Sequence, residues 1–249
     1  MGNLLKRLFQ SAFPAEPTIA PPGNTHAVLR QSATMLKPVI GAYRRRFTQE
    51  GPTPKGVFWA DGHAVKQRFD ILARVIDPAH NALGSSTVND LGCGYGALYD
   101  YLSDHPALRG GTYHGYDICQ TLLDSCITRI RDPRASFSHA MRATERADYA
   151  FVSGTYNMSL AADDEDWQAY VFASLQDIWN QTDVALAFNM LDHTGLNYFG
   201  SRVDHAADNP FRANLVPLAV TRVNALQALV AIIAFKLIEI PPRHPIDAP

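Results

Sequence analysis

From Val88 to Gly96 the chain reads Val-Asn-Asp-Leu-Gly-Cys-Gly-Tyr-Gly, and Ala97-Leu98-Tyr99-Asp100-Tyr101-Leu102 follows at once. A partly β-branched apolar run, three alternating glycines and a helix-forming stretch predict strand, turn and helix in that order. Glycine has no Cβ, so it accepts positive φ and lets a ligand lie against the backbone. A helix start just beyond offers free N–H groups and a positive dipole end. Turns of this kind hold the cofactor in doubly wound α/β sheets. A tight turn with no ligand is the plainer reading. The register narrows the choice of cofactor: a dinucleotide fingerprint runs G-x-G-x-x-G, whereas Gly92, Gly94 and Gly96 alternate behind Asp90.

Downstream the pattern alternates between short apolar strands and amphipathic helices, which predicts a mostly parallel sheet with helices on both faces. Strands are expected at 112–117, 135–138 (a weak one), 148–154 and 183–189, with helices at 119–130 and 164–179. Asp117 closes the second strand. A carboxylate at that place accepts hydrogen bonds from both hydroxyls of a ribose, and it serves a nicotinamide nucleotide as well as any other adenosine cofactor. The nearly continuous apolar run Asp183-Val184-Ala185-Leu186-Ala187-Phe188-Asn189 suits a strand buried on both faces.

The Asp90–Gly96 string resembles motif I of the class I S-adenosylmethionine-dependent methyltransferases, and the segment from Trp59 to His193 is similar to that family. The resemblance implies a Rossmann-like fold and S-adenosyl-L-methionine as cofactor. It implies that Asp90, Gly92, Cys93, Gly94 and Gly96 pass along the methionine part, with Asp117 and its neighbour Ile118 on the ribose side. The end of the fourth strand, Ser153-Gly154-Thr155-Tyr156, then faces the methyl group and the acceptor. An aromatic-rich turn with an Arg-Phe pair, here Trp59 and Arg68-Phe69, can fold over the cofactor and set a cation near its carboxylate. A guanidinium suits that carboxylate by bidentate, charge-assisted hydrogen bonds. A surface arginine and a core tryptophan are the bland alternative.

Three departures from the family stand out. Ser138-His139-Ala140 offers no carboxylate for the adenine side. Ser153-Gly154-Thr155-Tyr156 lacks the Asp/Asn-Pro-Pro-aromatic string of enzymes that methylate base amines, and Asp208-Asn209-Pro210-Phe211 reads as a turn. The tail also differs, because Leu215 to Ala228 looks helical despite Pro217, and Leu229 to Ile240 could give one last strand or a pair. For an N or O acceptor, Tyr156, Asp192 and His193 are the candidate catalytic groups, His193 as general base tuned by Asp192. A loop histidine is the simpler reading of His193.

The 249 residues divide into an N-terminal helix and Pro-rich linker (1–24) and one domain (25–249). Within that domain lie a helical approach segment (25–80), the cofactor core (86–193) and an atypical C-terminal part (206–249). Thr25 to Phe47 fits a helix broken near Pro38, Val65 to Ile76 fits another, and Arg44-Arg45-Arg46 reads as a solvated helix end. Residues 2–13 could dock on the domain or touch a membrane surface. A myristoyl start is rejected because Lys6 stands where Ser or Thr is needed.

With 22 basic and 24 acidic residues the net charge of −2 gives no pull toward nucleic acid, so a small-molecule acceptor is expected. No apolar run is long enough to span a membrane. Three cysteines without metal spacing suit a reduced, cytoplasmic protein with no metal site. Two other readings remain open. One is a methyltransferase-fold binding or assembly protein without turnover. The other is a nicotinamide-dependent oxidoreductase, against which the glycine register speaks.

Overall fold

The computed structural model describes residues 22–59, 62–160, 162–191, 197–205, 213–214, 216–222 and 228–237, and from residue 190 onward backbone alone. Two helices lead, α1 (Pro22–Met35) and α2 (Lys37–Glu50). The chain breaks at Leu36, just before Pro38. Pro38 sits in the first turn of α2, where no backbone N–H is needed. Because α1 begins at Pro22, the linker expected up to residue 24 ends earlier. A 3-10 turn (Pro54–Val57) then leads to α3 (Gly62–Leu72) and the short α4 (Pro78–Leu83).

The core alternates as the sequence predicts: β1 (Thr87–Leu91), α5 (Ala97–Leu102), β2 (Thr112–Asp117), α6 (Gln120–Arg129), β3 (Ala135–His139), β4 (Ala147–Ser153), α7 (Asp164–Asn180) and β5 (Thr182–Leu191). These five strands are parallel in the order β3-β2-β1-β4-β5. The order reverses direction at β1, and its carboxyl edge is where an open α/β sheet opens a crevice.

Side-chain alternation along the strands shows why both faces must be covered. Tyr149, Phe151, Ala185 and Ala187 point to one face and pack with Phe69 and Leu72 of α3 and Leu98 and Leu102 of α5. Their sequence neighbours Ala150, Val152, Leu186 and Phe188 point to the other and pack with Leu29 of α1 and Val171 and Ile178 of α7. The long α7 is also tied to the N-terminal segment by a hydrogen bond. The buried Asp177 carboxylate pairs with His26 Nε2 at 3.0 Å and with Arg142 Nε at 2.9 Å. This anchors α1 beside the sheet and hangs α2 over its carboxyl edge.

Beyond β5 the sheet continues through β6 (Asn197–His205), β9 (Ala228–Leu237) and β8 (Val216–Arg222), and the two-residue β7 (Ala213–Asn214) pairs with β6. β6 runs antiparallel to β5, and β8 antiparallel to β9. The helix expected from Leu215 to Ala228 is therefore corrected to a strand over 216–222. Its β-branched Val216, Val220 and Thr221 favour extended backbone, and Pro217, which cannot donate in a ladder, sits where the register shifts. The last strand lies inside the expected 229–240 range but for one residue. Residues 2–13, most of the linker, Asp192, His193 and residues 208–211 lie outside the described residues.

Candidate functional site

Each glycine of the loop adopts positive φ: +79° at Gly92, +58° at Gly94 and +86° at Gly96. The backbone closes back on the second strand, since Gly92 N–H and Cys93 N–H both donate to Tyr116 O, at 2.7 and 3.0 Å. Two of the glycines are set by neighbours. A Cβ on Gly92 would collide with Thr155, whose hydroxyl donates to Leu91 O at 2.9 Å. A Cβ on Gly96 would fall 2.6 Å from Ile130 Cδ1. Gly94 is different, because its Cβ direction meets nothing closer than 3.7 Å, so the loop offers bare backbone there.

Asp117 fastens this loop to the start of α6. Its carboxylate accepts Gly94 N–H on one oxygen, at 2.8 Å, and Cys119 N–H on the other, at 2.7 Å. Burial pushes the Asp117 carboxyl up from its ordinary range, and those two N–H groups oppose the push. Asp90, one strand over, is more enclosed. It takes a short hydrogen bond from the Tyr113 hydroxyl, and burial raises its pKa to about 7.

A cleft of about 710 Å³ opens between the glycine loop, the ends of β2 and β4, and the N-terminal helices. Trp59, Gly92, Cys93, Gly94, Asp117, Ile118 and Ser153, each nominated from sequence, line it together. Trp59 leans over the end of β4, where a Cβ on Gly154 would approach its indole nitrogen at 3.2 Å. The Arg68 guanidinium stacks on that indole, 4.6 Å from the ring centroid. Its Nη1 is buried with no hydrogen-bond partner among the described residues, and burial lowers its pKa to about 10. The Tyr43 hydroxyl, beside it and Asp117, is pushed up to about 12, chiefly by burial.

Four nominated residues do not line the cleft. Asp90 lies beneath the loop, Gly96 faces α6, and Arg68 is stacked on Trp59. Tyr156 is corrected as a candidate base: its buried hydroxyl donates to Ser174 Oγ at 2.8 Å, and burial raises its pKa far above the usual value. The position just past β4 is right, but the side chain turns into α7. Asp192 and His193 fall just past Leu191, outside the described residues.

Sequence reasoning missed the opposite wall. Leu36, Val39, Ile40 and Tyr43 of the α2 segment, with Val57, face the loop across the cleft, and Tyr170 of α7 closes one side. The helical spacing of the first four was visible as an apolar stripe, but a stripe does not say whether it covers a core or a cavity. Asn189, also buried, steadies the floor, its Oδ1 accepting from the Ser153 hydroxyl at 3.1 Å and from Gly154 N–H at 3.0 Å.

An adenosine cofactor with an amino-acid tail fits these residues. The bare backbone at Gly94 gives it a surface and Asp117 gives an anion for hydroxyls, while Arg68, stacked on Trp59, stands outside the lining. Among the described residues no cluster of His, Cys, Asp or Glu could hold a metal ion, and no helix is long and apolar enough to cross a membrane.

No protein-family model matches the chain. The chain is 35% identical over 114 residues to the "Putative methyltransferase Rv1506c" of Mycobacterium tuberculosis, a match covering 45% of this chain and 66% of that protein. The chain thus spans just under two thirds of that relative's length. Among solved structures, a "putative S-adenosylmethionine dependent methyltransferase" from Listeria monocytogenes shares 18% identity at a TM-score of 0.39, over 54% of this chain and 56% of the other. The plantazolicin methyltransferase BpumL, solved with a triazolic desmethylPZN analog and SAH, shares 11% identity at 0.39, over 69% and 62%.

Proposed function

We propose that this chain, which has the fold and motifs of the class I S-adenosylmethionine-dependent methyltransferase family, binds S-adenosyl-L-methionine in the cleft and methylates an N or O atom of a small molecule. One observation carries the reading: Asp117, the bare Gly94 backbone and the Ser153–Thr155 strand end converge on a single cleft. When bound, the cofactor supplies a methyl already activated by its positive sulfur, so the protein's work is alignment and desolvation. Asp117 holds the ribose, the loop carries the methionine part, and Trp59, with Arg68 stacked on it, covers that part. The apolar wall from Leu36 to Tyr43 excludes water. Asp192 and His193, just past β5, are the proposed proton acceptors. The balanced charge and the covered cleft support a small acceptor rather than nucleic acid, and three buried free cysteines suit a reducing, cytoplasmic setting.

The test is transfer of labelled methyl from S-adenosylmethionine to a metabolite extract, followed by separation of small molecules. A labelled small molecule that disappears in a His193→Ala variant is expected. Label that never leaves a cofactor the protein demonstrably binds would favour the alternative, a fold retained for binding or assembly without turnover.

A further inference from the structure

Between Glu16 and Glu50 the chain holds no acidic residue, yet it carries Arg30, Lys37, Arg44, Arg45 and Arg46. The chain as a whole is slightly acidic, with a net charge of −2, so these cations are concentrated on one segment. That segment roofs the cleft. Leu36, Val39, Ile40 and Tyr43 face inward to the cavity, and Phe47 is buried beside them. Helical spacing then sends Lys37, Arg44 and Arg45 to the outer side of α2, where all three are exposed.

The cations are not placed to serve the helix end. The last turn of α2, which closes at Glu50, has no basic residue, and the dipole acts within that turn. Arg46 has local work: its Nε donates to Lys55 O at 2.9 Å, and it pairs with Glu50 at 3.5 Å. Lys37, Arg44, Arg45 and the exposed Lys55 form no ion pair among the described residues. Arg45 lies back over Gly41, where a Cβ would fall 3.3 Å from its Nη1. Phe58 adds an apolar group to this surface. It is 45% exposed, packs edge-on against Tyr43 at 5.3 Å and lies 5.7 Å from the Arg46 guanidinium. It also takes the left-handed cap of the 3-10 turn, with φ of +61°, a place usually given to glycine. An exposed aromatic ring is thus kept there against the local backbone preference.

We propose that the outer side of α2, with Lys55 and Phe58, docks on an anionic phospholipid surface. The unpaired cations supply attraction to the headgroups, and the exposed ring enters the boundary between headgroup and acyl chain. Ahead of α1, Leu4-Leu5-Lys6-Arg7-Leu8-Phe9 repeats the same mix of apolar and basic side chains. Nucleic acid would meet the same cations, but one ring on this surface is not the succession of stacking platforms that a strand of bases uses. Lys37, Arg44, Arg45, Lys55 and Phe58 are absent from the cleft lining, so the docking stands apart from the cofactor reading.

The experiment is sedimentation of the full chain with vesicles of phosphatidylcholine alone and of phosphatidylcholine mixed with phosphatidylglycerol, at low and at high salt. Binding to the mixed vesicles only, weakened by salt, is expected. Arg44→Gln combined with Arg45→Gln is expected to weaken it roughly 10- to 30-fold, because each cation near such a surface contributes a factor of about five. Lys37→Gln combined with Lys55→Gln is expected to lose about as much, and stands in if a circular-dichroism melt shows the first variant unfolded. Phe58→Asn, which tolerates left-handed φ, is expected to weaken binding by a smaller factor that persists at high salt. Unchanged affinity in both double variants overturns the proposal, because attachment would then reside elsewhere in the chain. Equal binding to neutral vesicles, or binding to neither kind, overturns it as well. Tighter binding to a fluorescent DNA oligonucleotide than to the mixed vesicles would assign the cations to nucleic acid and overturn the lipid docking.

Discussion

Two buried carboxylates on neighbouring strands, Asp90 and Asp117, do different work. Asp117 has both oxygens satisfied by backbone N–H groups and still borders the cleft, so it serves the loop and the ligand together. Asp90 accepts from one phenol, and burial, helped by the nearby Asp117 charge, raises its pKa to about 7 from the ordinary 3.8. The linkage has a definite sign. Between about pH 4 and pH 7 the unfolded chain releases this proton while the folded one keeps it, so the stability conferred by the protonated form is lost as pH rises through 7. Asp90→Asn has no proton to lose and can still accept from Tyr113. Its stability relative to wild type is expected to rise across that window by roughly 3–5 kcal/mol and then level off, measured by urea unfolding at several pH values. Parallel curves would show that Asp90 ionises normally.

Residue positions were legible where backbone chemistry dictates them. Alternating glycines behind an acidic residue specify a left-handed turn, and an acid closing the next strand specifies a partner for it. Side-chain direction was not legible. Tyr156 stands where the sequence puts it, yet nothing in Ser-Gly-Thr-Tyr says that the ring turns into α7 to meet Ser174. Tyr170 read as one apolar helix position among several, because its place in the cleft wall depends on how α7 packs.

At the scale of elements, the glycine loop is a hinge between β1 and α5 in which two glycines have separable duties. Gly92→Ala combines a left-handed φ with a collision against Thr155, which is itself pinned to Leu91 O. A loss of roughly 2–5 kcal/mol is expected from strain and overpacking together. Gly94→Ala meets only the φ penalty, roughly 1–2 kcal/mol, and its methyl projects near Leu122 and Val57 at the cleft. Chemical denaturation should therefore rank Gly92→Ala as the less stable variant, while Gly94→Ala remains folded with weakened ligand affinity. Equal stability of the two would contradict the packing assigned to Thr155.

The strands of the core declared themselves by apolar runs between turn signals. The last strands did not, since Leu215 to Ala228 carries alanines and leucines whose helical propensity masks the extended pairing of β8 with β9. Sheet pairing across distant segments overrode local preference there.

Taken whole, the molecule is a mixed sheet whose five-stranded parallel core is roofed at its carboxyl edge by the N-terminal segment. α1 is held beside α7 through His26, Asp177 and Arg142, and α2 then sets Leu36, Val39, Ile40 and Tyr43 opposite the glycine loop. The roof and the loop make one cavity whose lining includes the Asp117 carboxylate and the Trp59 indole. An adenosine carrying an amino-acid tail can set its ribose hydroxyls at that carboxylate. The central claim is that this cavity binds such a cofactor through Asp117. The most direct measurement is calorimetric titration of S-adenosylhomocysteine into wild type and Asp117→Ala, with folding of both checked by circular dichroism. Saturable one-to-one binding by wild type, weakened at least tenfold in Asp117→Ala, is the predicted result. No binding by wild type at millimolar ligand, or equal affinity in the two proteins, would contradict it.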